Sequence, residues 1–230
     1  MNTKETGMKL QALLVLWIVT FGGAALAAPS PTTGPVMHDG LVPVQSRNLD
    51  KFYVRPDANL AGYRKIMIDP VQVEFSKNWL RNVNDSRYVA RIRPEDARRI
   101  ADETTSNAGS IVADAFKARG YEIATAPGAD VLRLSPRVTE LYVNAPDVFP
   151  PGVTRSFARD AGEATLILEA RDAVNGTLLA VIIDHDTARD MMRLTQATNV
   201  SNTFWFDGLY KRWAANSVAE LEAVKNRPRT

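Results

Sequence analysis

The chain has 230 residues, 45% of them hydrophobic and 23% charged, an ordinary globular balance with enough apolar material for one sizeable core. Its 28 basic residues face 26 acidic ones, and a net charge of +2 gives no electrostatic case for a nucleic-acid partner. Cysteine is absent, so disulfides and acylation of an N-terminal cysteine are both excluded, and stability must come from burial.

Residues 1–27 read as a signal peptide. Lys4 and Lys9 give a basic start, Ala12 to Phe21 is apolar except for Thr20, and Ala25-Leu26-Ala27 offers small residues at the −3 and −1 positions of a leader peptidase site. Cleavage near Ala27 would deliver a periplasmic or secreted protein, and retention of the segment as an uncleaved anchor is the alternative. Residues 28–58 carry Pro29, Pro31, Pro35, Pro43 and Pro56 without a periodic apolar face, the pattern of an arm or linker. Residues 59–227 are then expected to form a single α+β domain.

Tyr63 to Phe75 alternates on both sides of Pro70, so Pro70 marks an edge, a bulge or a break between two strands. Between 76 and 93 the chain is polar, with Trp79, Leu80 and Tyr88 as satellites of the core. Pro94 suits a first helical position, Glu95 and Asp96 complement the helix dipole, and Gly120 is placed to stop the helix. Its apolar stripe runs through Ala97, Ile100, Ala101, Thr104, Ala108, Ile111, Val112, Ala115 and Phe116. Arg91, Arg93, Arg98 and Arg99 around its start read as a solvated face interrupted by Glu95 and Asp96.

A short strand at Tyr121 to Ala124 and an extended run from Asp130 to Val143 follow, and Pro136 implies an edge or a bulge in that run. Ala164, Leu166, Leu168 and Ala170 share the buried face of a strand. Asn175-Gly176 supplies two residues tolerant of positive φ, and Thr177 to Asp184 returns as the partner strand of a hairpin. A last helix from about Thr203 to Val224, capped by Ser201, Asn202 or Thr203, carries Phe206, Leu209, Tyr210, Trp213, Ala214, Val218, Leu221 and Val224 on one stripe. This order predicts a two-layer α+β fold: a mostly antiparallel or mixed sheet with two long helices packed on one face.

No catalytic motif emerges, and no cofactor or metal is expected. His38 lies in the Pro-rich arm. Asp184-His185-Asp186 invites a metal reading, but in a strand the two aspartates take one face and the histidine the other, so the segment reads as a polar strand terminus. Ser156 and Ser201 are the nucleophiles that could meet Asp184 and His185 in space, and no elbow, zinc-protease or phosphate-loop motif supports either. The binding class is favoured instead. The loop 144–160 holds Phe149, Arg155, Phe157 and Arg159, and the segment from Thr187 to Val200, with Met191, Met192 and Arg193, is expected to continue the same surface. The competing reading is that these side chains simply cover a sheet edge.

The strings Tyr63-Arg64-Lys65-Ile66-Met67-Ile68-Asp69-Pro70-Val71 and Val131-Leu132-Arg133-Leu134, the latter leading to Val143-Asn144-Ala145-Pro146, together with the helix ending near Gly120 and the turn at Asn175-Gly176, resemble the bacterial domain-of-unknown-function family 3313 over residues 50 to 225. Its members are mostly envelope lipoproteins. The resemblance implies a Gram-negative envelope protein and provides no active-site residues. Many relatives have a lipobox cysteine where this chain reads Ala25-Leu26-Ala27-Ala28, so no lipid anchor is expected. The leading expectation is a non-enzymatic module that binds another envelope protein or an envelope polymer. A small-ligand or lipid carrier is the alternative, and a hydrolase without a recognisable motif comes third.

Overall fold

The computed structural model describes residues 40–85, 91–144, 156–158, 160–189, 195–197 and 199–226, all within the unit His38–Thr230. The leader and most of the Pro-rich arm therefore lie outside the described residues, as does Tyr88. In chain order the strands and helices are β1 (Val42–Val44), β2 (Lys51–Val54), β3 (Lys65–Ile68), β4 (Gln72–Phe75), α1 (Trp79–Asp85), α2 (Pro94–Lys117), β5 (Glu122–Ile123), β6 (Val131–Val143), β7 (Ser156–Ala158), β8 (Asp160–Asp172), β9 (Leu178–Arg189), β10 (Thr195–Ala197) and α3 (Asn199–Lys225).

Eight strands form one mixed sheet in the order β1-β2-β9-β8-β6-β3-β5, with β4 also paired to β6. The β1 to β6 side of that order is antiparallel, and β3 and β4 join β6 in parallel. Both long helices pack on one face. Ala108, Val112 and Phe116 of α2 and Tyr210, Trp213 and Ala214 of α3 meet Val138 of β6 and Leu166 and Leu168 of β8 across the interlayer. The expected α+β architecture is present, with a sheet that is mixed.

Several local expectations need correction. The stretch 40–54 is not a linker: Phe52 and Val54 of β2 are buried in the core, and β2 pairs with β9. Pro43 obscured this because a proline-bearing strand of three residues carries almost no periodicity. Pro136 lies on an interior strand, not at an edge, and the irregularity of β6 comes later, between Thr139 and Tyr142. The Leu134 carbonyl accepts from Asp69 N–H, so the β6 backbone groups at even positions turn toward β3 and β4. Pro136 therefore places its missing N–H at the break between β3 and β4, where Pro70 sits, and two donorless residues coincide at one gap.

The hairpin turn also differs. Gly176 alone has positive φ (74°), and the reversal is built by Asp172, whose Oδ1 accepts from the N–H groups of Val174 and Asn175 at 2.9 and 2.8 Å. Helix α3 begins at Asn199, which puts Ser201, Asn202 and Thr203 inside it and not at its cap. Helix α2 starts at Pro94 as expected, with Asp96 accepting from Arg93 N–H at 2.9 Å, and Gly120 (φ 85°) follows its end.

Candidate functional site

The five residues expected to form an interaction surface divide in two. Phe149, Arg155, Arg159 and Arg193 lie outside the described residues, and Phe157 is placed by its backbone on β7. Strand β7 pairs antiparallel with β10, with Ser156 opposite Ala197, Phe157 opposite Gln196 and Ala158 opposite Thr195. Parts of the two segments expected to share one surface, 156–158 and 195–197, are thus the two strands of one ribbon. It adjoins the end of the β8–β9 hairpin where Asp160 pairs with Arg189, and β10 leads directly into α3.

A second region was missed. Strand β9 does not end at Asp184-His185-Asp186 but continues to Arg189, with Ala188 fully buried. Alternation places Ala180, Ile182, Asp184 and Asp186 on the helix-facing side, so Asp184 occupies what would otherwise be a core position, and it is 8% exposed. Its Oδ1 accepts from Asp50 N–H at 3.1 Å, and Asp50 Oδ2 in turn accepts from His185 N–H at 2.9 Å. Asp186 is held by Arg212 of α3 at 2.7 Å and accepts from Thr187 N–H. Burial, helped by the nearby charges of Asp50 and Asp186, pushes the Asp184 carboxyl up to about 6.

These groups line an open cleft of about 370 Å³ together with Arg47, Asn48, Leu49 and Asn216. Side chains from α3 fix its wall: Asn216 donates to the Asn48 carbonyl at 3.0 Å, and Glu220 accepts from Ser46, whose hydroxyl also accepts from Asn48 and Leu49 N–H. The signal available in the sequence was the alternation Ala180, Ile182, Asp184. The long-range partners Asp50 and Arg212 had none.

His185 takes the opposite face, as the strand geometry predicts. There Thr165 donates to Glu140 Oε2 at 2.8 Å and stands 3.0 Å from His185 Nδ1. The Thr165 hydroxyl has one proton, so with that proton on Glu140 the Nδ1 of His185 is the donor and Nε2 faces Glu163 at 3.8 Å. A β-bulge creates this arrangement: Glu140 has φ 53°, and Gly162, opposite Val143, is obligatory, since a Cβ there would sit 1.8 Å from the Tyr142 carbonyl oxygen. Among the described residues no group of three or more His, Asp or Glu side chains is arranged to hold a metal ion.

The family model DUF3313, described as a protein of unknown function, matches residues 30–217, from ahead of β1 to well into α3. The chain belongs to the DUF3313 family. No curated protein matches it. Among solved structures it is similar to a point variant of the PelC dodecamer from Paraburkholderia phytofirmans at 13% identity, covering 79% of this chain and 97% of that one with a TM-score of 0.39. A DUF330 protein from Xanthomonas campestris is 9% identical, with coverages of 71% and 86% and a TM-score of 0.42. A DUF4136 family protein from Bacteroides thetaiotaomicron is 13% identical, with coverages of 80% and 97% and a TM-score of 0.28. At these identities and TM-scores the likenesses are of fold and carry no functional argument.

Proposed function

We propose that this DUF3313 member is an exported, non-enzymatic envelope protein that binds another envelope protein or an envelope polymer at the β7–β10 end of its sheet. The observation that carries this reading is the antiparallel pairing of Ser156–Ala158 with Thr195–Ala197, which brings together parts of the two segments that composition singles out. The carrier alternative requires a chamber between helices and sheet. Among the described residues the interlayer void has a volume of about 20 Å³, room for about one water molecule.

The test is affinity capture from an envelope extract, with wild-type protein compared with Phe157→Ala and Arg155→Ala. The reading predicts a partner retained by wild type and lost from both variants at unchanged thermal stability. Equal recovery by all three would refute the ribbon as the contact surface. The export component is checked by N-terminal sequencing of the extracytoplasmic protein, for which a start at Ala28 is expected and a start at Met1 would contradict cleavage.

A further inference from the structure

The cleft around Asp184 has features that its internal hydrogen bonds do not use up. Asp184 is more than nine-tenths buried, it lines the cleft, and its Oδ2 has no hydrogen-bond partner among the described residues. Each carboxylate there is engaged at one oxygen at least, Asp184 by the Asp50 N–H, Asp50 by the His185 N–H and Asp186 by Arg212, and among the described residues only Asp186 has an ion-pair partner. The three aspartates face two guanidinium groups, Arg47 from the turn and Arg212 from α3. Arg212 is spent on Asp186, which leaves Asp184 beside two like charges and without a cation of its own.

We propose that this cleft, formed by the 46–50 turn, Asp184 and Asp186 of β9 and Asn216 of α3, binds a small ligand through a primary ammonium group. An ammonium carries three N–H donors and no acceptor. The cleft offers three acceptors without partners among the described residues: Asp184 Oδ2, the second carboxylate oxygen of Asp50 and the amide oxygen of Asn216. A divalent cation fits less well. It takes about six or more oxygen ligands, whereas Asp186 is already paired with Arg212 and Asp184 and Asp50 each offer one oxygen without a partner among the described residues. A neutral sugar fits less well too, since the lining has no aromatic platform. The volume of about 370 Å³ is at the lower end of ligand sites, which sets the ligand as small.

Charge on Asp184 is what the ammonium would read, so binding must depend on pH. The charged and titratable groups facing it are Asp50 and Arg47 on the turn, Asp186 on β9 and Arg212 on α3, with the adjacent His185 on the opposite face of β9. Because its carboxyl is pushed up to about 6, roughly one Asp184 in ten is ionised at pH 5, and affinity for an amine falls about tenfold from its value at pH 7.5. The proposal concerns the cleft alone and stands apart from the ribbon: an amine that binds here leaves partner capture at β7–β10 to succeed or fail by itself.

The experiment is titration calorimetry of the full chain with butylamine against butanol, and with glucosamine against N-acetylglucosamine, so that simple amines and amino sugars are distinguished. Binding of an amine but not of its uncharged counterpart, weakened about tenfold for butylamine at pH 5 and at least tenfold by Asp184→Asn, is expected. Arg47→Ala should bind butylamine at least as well as wild type and reports on folding of the turn. Equal binding of charged and uncharged probes, amine binding insensitive to Asp184→Asn, or a response to magnesium ions with none to either amine would overturn the proposal. Should Asp184→Asn fail to fold, the pH dependence of the wild type decides alone.

Discussion

Two of the places where helix α3 meets polar groups obey opposite rules. Toward the sheet centre it buries the Tyr210 hydroxyl, the Trp213 indole N–H and the Ser217 hydroxyl, none of which has a hydrogen-bond partner among the described residues. Thr104 approaches Tyr210 without closing a bond of good geometry, and burial holds the Tyr210 hydroxyl well above its usual ionisation range. Toward the β2–β9 side the same helix sends Arg212 and Asn216 into a cleft, where Arg212 holds Asp186 and Asn216 donates to the Asn48 carbonyl while several carboxylate and amide oxygens stay open to solvent. The first place is sealed and tolerates orphaned dipoles, since aromatic burial there outweighs them. The second is open, and there a carboxylate is kept on a core-facing position at an electrostatic cost. Of the two places, the second has room for a ligand and the first does not.

The largest expected effect tests the sealed side. Trp213→Ala removes a side chain that is 2% exposed and should cost about 3 to 5 kcal/mol, read as a drop in denaturant midpoint. An unchanged midpoint would contradict the packed interlayer. Next comes Asp184. Its folded carboxyl ionises near 6 against 3.8 unfolded, so its contribution is fully present below pH 3.8 and is lost as pH rises through 6. Asp184→Asn keeps an acceptor for Asp50 N–H, and at pH 7 it should be more stable than wild type by up to about 3 kcal/mol, with the difference vanishing near pH 4. Equal stability of the two proteins at both pH values would mean that Asp184 carries no burial cost.

Ser217→Ala deletes one orphaned hydroxyl and should stabilise by about 1 kcal/mol, measurable as a higher melting temperature. A loss of stability would show that the hydroxyl has a partner. The smallest effect is Arg212→Ala. Its bond to Asp186 is short, at 2.7 Å, but both side chains are substantially exposed, and the cost should stay below about 1 kcal/mol and shrink with salt.

Much of the fold was legible because its signals are local. Pro94 and Gly120 bracket α2, and Ala164 to Ala170 alternates cleanly on β8. The site was less legible because its geometry is long-range. Asp50 and Asp184 are 134 positions apart, and nothing local to either predicts that one donates its N–H to the other. The segment 40–54 was misread for a related reason: β1 and β2 are short, and only pairing with β9 gives them meaning. Asp184 itself was misassigned as a strand terminus because a charge on a core face contradicts the usual pattern. Such contradictions mark positions where something other than packing has been selected. The ribbon was half legible: composition singled out both of its segments, and pairing between Ser156–Ala158 and Thr195–Ala197 could not be read from either.

The most direct test of the surface account is photo-crosslinking in cells, with a photoreactive amino acid at Phe157 on the ribbon or at Val174 in the turn between β8 and β9. Val174 is 66% exposed and serves as a surface position away from the ribbon. The account predicts a discrete crosslinked species from position 157 and none from position 174. Crosslinking that is absent at 157, or equal at the two positions, would contradict it.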